Sequence, residues 1–205
     1  MRKLLFTMAA LVLGVASANA ASFNFETTAL GSQNVLVLND GGVTLTLTLT
    51  DQSAFQITDI TPGGPASFGD RTLSNFVGCC TAAPYNGNFS VGQSSVTLSF
   101  GDFGPSDDDS PIILRIYSGL NGVGLLDTVS TSWLGSDVFP SFKTLTVSSA
   151  TPILSFQFTG SGANNNSMFW DNIVTEQTAV PEPASMALLG TGLFGLAAAR
   201  RRRKA

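Results

Sequence analysis

The sequence predicts an all-β fold, an antiparallel two-sheet sandwich of jelly-roll-like arrangement. Three observations predict it: short runs that alternate apolar and polar residues, clusters of Gly, Pro, Asn and Asp between them, and no convincing amphipathic helix in the body. The clearest run is Val43 to Thr50, which sets Val43, Leu45, Leu47 and Leu49 on one face and four threonines on the other. Successive side chains of a strand point to opposite sides, so this run reads as a half-buried antiparallel strand. Threonine and phenylalanine are plentiful, and such side chains suit a pleated, half-covered surface.

The elements follow in chain order. Val35 to Leu38 pairs with Val43 to Thr50 through a hairpin over Asn39-Asp40-Gly41-Gly42, a composition that accepts the left-handed backbone of a tight turn. Further strands are expected at Phe55 to Ile60, Ser95 to Phe100, Ile112 to Tyr117, Leu125 to Ser132, Lys143 to Val147, Ile153 to Phe158 and Phe169 to Thr175. Turn clusters at Thr61 to Pro65, Ser118 to Gly122 and Ser161 to Asn166 separate them. Leu73 to Phe89 has little periodicity and carries Gly78-Cys79-Cys80 and Pro84, so it is expected to be a long loop, where recognition would sit.

Both ends of the chain are of a different kind. Arg2 and Lys3, the apolar stretch Leu4 to Val15 and the small-residue site Ala18-Asn19-Ala20 read as a secretory signal peptide over residues 1–20, cut after Ala20. At the other end, residues 179–205 hold Pro181-Glu182-Pro183, an apolar run over 184–199 and the basic cluster Arg200, Arg201, Arg202, Arg203 and Lys204. The run has 16 residues, about 24 Å of helix against a hydrocarbon core of about 30 Å. Snorkelling arginines and a locally thinned bilayer close the gap, so it is expected to cross as a transmembrane helix. The positive-inside rule leaves the arginines in the cytoplasm and the body, residues 21–178, outside. Membrane anchoring would thus precede any processing.

Removing the ends exposes a strongly acidic body. From Ala21 to Val180 only Arg71, Arg115 and Lys143 are basic against 13 acids, a formal charge of −10. That excludes nucleic acid as a partner, because a phosphate-binding face needs clustered Lys and Arg. Cys79 and Cys80 are the only thiols, and their adjacency leaves a vicinal disulfide or two free thiols open. The chain has no histidine, which removes Ser-His-Asp and Cys-His catalysis and the commonest zinc ligand. A carboxylate-pair glycosidase needs only two acids at a set separation, a distance that some pair among 13 meets by chance. The body is therefore read as non-enzymatic.

Val180-Pro181-Glu182-Pro183-Ala184-Ser185, the short apolar run and the terminal basic cluster, in this order, resemble the PEP-CTERM sorting signal of exported bacterial proteins. The resemblance implies exosortase as partner, with processing at Pro181, Glu182 and Pro183 and only a transient stay in the inner membrane. It also implies a final location at the cell surface or outside the cell, in Gram-negative hosts that make exopolysaccharide or biofilm. Two prolines keep the backbone extended, as a protease subsite requires, and Glu182 offers a charge for readout.

The body in turn resembles β-sandwich domains found upstream of this signal, through Gly101-Asp102-Phe103-Gly104-Pro105-Ser106-Asp107-Asp108-Asp109 and a closing strand Phe169 to Val174. By that resemblance Phe23-Asn24-Phe25-Glu26 is the opening strand. In jelly rolls of the carbohydrate-binding type, an acid of the first strand and one of the last share a structural calcium ion, which implies Glu26 and Asp171 here. A second candidate calcium site is Asp107, Asp108 and Asp109; hard oxygen ligands suit it, but Pro111 stands where an EF-hand loop would need glycine.

Two roles follow; neither requires a cofactor, and calcium is an optional structural ion. One is a structural or adhesive component of the surface matrix associated with exopolysaccharide. The other is a lectin-like module stacking sugars on Trp133, Trp170, Tyr85 or Tyr117, against which stands the tendency of such rings to fill a core.

Overall fold

A computed structural model describes residues 19–61, 63–74, 83–102, 109–134, 137, 140–160 and 168–178, with residues 109 and 110 described by their backbone. Every described strand pairing is antiparallel. The strands are β1 (Ala20–Phe23), β2 (Gly31–Gln33), β3 (Leu36–Asp40), β4 (Val43–Leu49), β5 (Phe55–Asp59), β6 (Arg71–Ser74), β7 (Tyr85–Asp102), β8 (Asp109–Tyr117), β9 (Leu125–Trp133), β10 (Lys143–Gly160) and β11 (Met168–Gln177). They form one hydrogen-bonded network in the order β2-β5-β6-β11-β7-β10-β8-β9, with β1 on β11 and the β3–β4 hairpin on β7.

The expected hairpin is present in a tight form. Asp40 pairs with Val43, so Gly41 and Gly42 alone make the turn, with φ of 55° and 79°. Both values lie in the left-handed region, where a residue without Cβ carries no steric cost. β4 then alternates as its sequence dictates: Val43, Leu45, Leu47 and Leu49 are buried and its threonines half-buried.

The two long strands organise the rest. The first part of β7 pairs with β4 on one side and with the last residues of β10 on the other; its second part pairs with β11 and with the first residues of β10. Register shifts in β10 between Ser148 and Ser155 mark where it changes course. The expected separate strands at Lys143 to Val147 and Ile153 to Phe158 are thus one continuous strand. Residues from both parts join a single core: Leu45, Phe89, Phe156 and Phe158 from one, Val96, Phe100, Leu145 and Trp170 from the other. At its centre Tyr85 stacks on Phe158 at 4.7 Å, and Trp170 leans on Phe158 at 4.9 Å and Phe100 at 5.7 Å.

Three other expectations are corrected. The opening strand is Ala20–Phe23, paired residue for residue with the end of β11, and Glu26 lies beyond it in a turn closed by the Thr28 N–H on the Phe25 carbonyl. Phe25 is fully buried, and that anchors the turn. The expected loop from Leu73 to Phe89 begins and ends in strands, since Leu73 belongs to β6 and Tyr85 opens β7; residues 75–82, Cys79 and Cys80 among them, lie outside the described residues. β2 and β6 were not expected, being too short and too polar to show periodicity.

Candidate functional site

On β11, Trp170 enters the main core while Phe169 joins a second small cluster with Ile60 and Phe68 on the opposite side. Asp171 follows, at a register shift in the β11–β7 pairing, and Asn172 takes φ 48°. Asparagine is among the few residues that tolerate this left-handed conformation. Its side-chain amide donates to the Ser67 carbonyl at 2.9 Å, which ties β11 to the segment that follows β5.

Asp171 itself is 0% exposed. One carboxylate oxygen, Oδ1, accepts the Asn172 N–H at 2.6 Å; the other, Oδ2, is buried with no hydrogen-bond partner. Burial, aided by the nearby negative charge of Glu26 and opposed by the Asn172 N–H, pushes the Asp171 carboxyl up to about 8.

Glu26 is held in place from the other side. Its carboxylate accepts the N–H of Asp70 at 3.0 and 3.1 Å and that of Arg71 at 3.0 Å, while the Arg71 guanidinium reaches the Thr28 carbonyl. Gly69, at φ 69°, lets the chain pass there: a Cβ on it would stand 2.3 Å from Glu26 Oε1. The fold therefore brings Glu26 and Asp171 together. An orphaned, buried carboxylate oxygen within the field of a second carboxylate is an arrangement that a hard cation relieves, so the donor set fits Ca2+. Among the described residues no group of three or more acids, Cys or His could hold a metal, so these two carboxylates would need main-chain oxygens or water to complete a shell. The Asp70 and Arg71 N–H groups, Gly69 and Asn172 were not expected; a Gly-Asp-Arg turn and an Asp-Asn pair in a strand were their only traces.

The remaining candidates are placed as follows. Asp107 and Asp108 lie outside the described residues, and Asp109 is the first residue of β8. Ala20 opens β1, whereas Ala18, Pro181, Glu182, Pro183, Arg200 to Lys204 and the apolar run 184–199 lie outside the described residues. Among the described residues no helix is long and apolar enough to cross a membrane. The four rings offered as sugar platforms are buried: Trp133, Trp170 and Tyr85 at 0% exposure and Tyr117 at 7%. Trp133, Trp170 and Tyr85 belong to the core, whereas Tyr117 lies outside it beside Arg115, its hydroxyl donating to Gln157 Oε1 at 2.9 Å.

Residues 179–203 match the family described as the PEP-CTERM protein-sorting motif. The chain carries a PEP-CTERM sorting signal. The signal implies exosortase as the processing partner, and export through a membrane-anchored precursor. No curated protein matches the chain. Among solved structures, the K2 cleaved adhesin domain of Lys-gingipain is similar at 13% identity, over 76% of this chain and 98% of that one, with a TM-score of 0.42. An arabinose-bound α-L-arabinofuranosidase is similar at 10% identity, over 80% of this chain and 27% of that one, with a TM-score of 0.44. A family 29 carbohydrate-binding module, complexed with cellohexaose, is similar at 11% identity over 77% and 92%, with a TM-score of 0.28.

Proposed function

We propose that this chain is an exported, non-enzymatic surface or extracellular-matrix protein, delivered by its PEP-CTERM signal and associated with exopolysaccharide or biofilm. The observation that carries the reading is the sorting signal at residues 179–203, directly after β11. β1 pairs with the end of β11, Ala20 against Glu176, so the proposed cut after Ala20 falls beside the strand that precedes the sorting signal in the chain.

The domain is read as a jelly-roll-like sandwich. The exchange of partners along β7 and β10, and a core fed from both parts, support that reading. Calcium is its proposed structural ion, held by Glu26 and Asp171. When bound, it supplies the divalent charge that lets both carboxylates stay ionised in a buried place. Glu26 belongs to the turn after the first strand and Asp171 to the last, so the pair ties the two ends of the domain through the segment 67–71.

The test is a Glu182→Ala substitution in cells that possess exosortase. The expected outcome is an uncut precursor retained in the membrane, whereas the natural chain ends beside Pro183 by mass spectrometry of the secreted form. Secreted material with an intact Ala205 overturns the reading.

A further inference from the structure

The side of the β4–β7–β10–β8–β9 strands that faces away from the core carries a polar row in register: Thr48, Asn86, Gln157, Arg115 and Thr128. Their immediate neighbours along each strand, such as Leu47, Phe158 and Leu114, point into the core, so these five point outward. No member of the row is acidic, in a body with 13 acids. Two of the body's three cations are engaged elsewhere: Lys143 binds Asp137 at 2.5 Å, and Arg71 binds the Thr28 carbonyl. Arg115 is half-buried and has no ion-pair or hydrogen-bond partner among the described residues.

Around it the side chains are already locked. The Tyr117 hydroxyl donates to Gln157 Oε1 at 2.9 Å, and Gln157 Nε2 donates to Asn86 Oδ1 at 3.3 Å. Asn86 is only 3% exposed despite its outward position. The turn between β8 and β9 closes one end like a wall. Asn121 exchanges two hydrogen bonds with Asn88, and Ser155 donates to Gly119 and accepts from Gly122, which lies so close that a Cβ there would meet Gln157 Nε2 at 2.4 Å. Amides and hydroxyls held by one another lose little freedom when a ligand arrives, which favours binding.

We propose that this face is a binding site for an acidic polysaccharide, with Arg115 pairing a uronate carboxylate and the amide–hydroxyl row receiving the sugar hydroxyls. The proposal rests on the matrix reading above and names its ligand class. A guanidinium without an ion-pair or hydrogen-bond partner among the described residues, in a row that holds no acid, selects a carboxylate, and its planar fork takes both oxygens at once. A row of amides and hydroxyls matches a polyhydroxylated chain better than a peptide, whose side chains need apolar pockets.

The test is calorimetric titration of the purified full chain, in detergent, with hexagalacturonate, its methyl ester and hexaglutamate. Expected are saturable binding of hexagalacturonate that weakens with salt, at least tenfold weaker binding of the ester, and at least a tenfold loss in Arg115→Gln. Thr128→Asp, which keeps Arg115 but sets a carboxylate directly across from it, is expected to lose binding to the same degree; it serves as the second variant should Arg115→Gln fail to fold. The absence of hexagalacturonate binding at millimolar concentration, or unchanged binding in both variants, overturns the proposal. Equal binding of hexaglutamate also overturns it and makes the face a peptide site. Sorting is read separately, since Arg115→Gln is expected to be trimmed normally, so loss of glycan binding with intact trimming leaves the sorting assignment standing.

Discussion

Asp171 and Arg115 both occupy positions on inner strands that face away from the main core, and they meet opposite fates. Over that side of β11 Ile60 and the segment 63–71 fold down, with Phe68 packed on Phe169 at 5.4 Å, and a carboxyl group is sealed inside. Over Arg115 nothing described folds down beyond one short turn, and the charge stays half open beside fixed amides. The comparison teaches that strand alternation assigns a residue to a side, while a covering segment decides whether that side is wet. A sealed carboxylate needs a counter-charge or a proton; an open guanidinium needs only water until a ligand comes.

The largest effect belongs to what both regions share. Trp170→Ala is expected to cost about 3–5 kcal/mol of stability, as for other large core truncations, measured by urea unfolding. An unchanged midpoint would mean the ring is not a core element and would dissolve the distinction between core and faces.

The sealed side responds to calcium and pH. With calcium at about 100 times its dissociation constant, the wild type is expected to gain about 2.7 kcal/mol, and Asp171→Asn to gain none of it. In chelator the sign reverses with proton binding. The folded state holds the Asp171 proton up to about pH 8, above the ordinary carboxyl value of 3.8, so stability is full at low pH and declines as pH rises toward 8. The decline is expected to approach about 1.4 kcal/mol per pH unit at its steepest and to flatten in Asp171→Asn, as read from unfolding at successive pH values.

Gly69→Ala tests the clamp on Glu26. A Cβ at φ 69° against that carboxylate is expected to cost about 1–3 kcal/mol and to weaken the calcium response. The open side gives the smallest change. Gln157→Ala removes a half-buried hydrogen-bonding link and is expected to cost about 1 kcal/mol or less, with no change in the calcium response. A calcium response altered by Gln157→Ala would show that the two faces are coupled.

Much of the fold was legible because its signals are local. Val43 to Leu49 carries its burial in its alternation, and Gly41-Gly42 carries its turn in its conformational freedom. The short polar strands β2 and β6 were not legible, because their pairing comes from neighbours and not from pattern. The same holds for the site. Glu26 and Asp171 could be named as acids, but not the Asp70 and Arg71 N–H groups that hold one, nor the bulge that buries the other. The aromatic residues show the limit most plainly, since Trp133 and Trp170 look equally suited to a sugar or a core until their neighbours are known.

By itself the sequence determined the sorting signal at the C-terminal end, the expectation of a signal peptide at the other, the acidic and histidine-free chemistry of the body and the strand alternation, all of which depend on residues close together in the chain. Only the tertiary structure decided that Glu26 meets Asp171, that Trp133, Trp170 and Tyr85 turn inward and that Arg115 lies in a row of strand residues without an acid. These depend on which strands pair and which segment covers them, and residues 145 positions apart, as Glu26 and Asp171 are, have no local pattern through which to announce a contact.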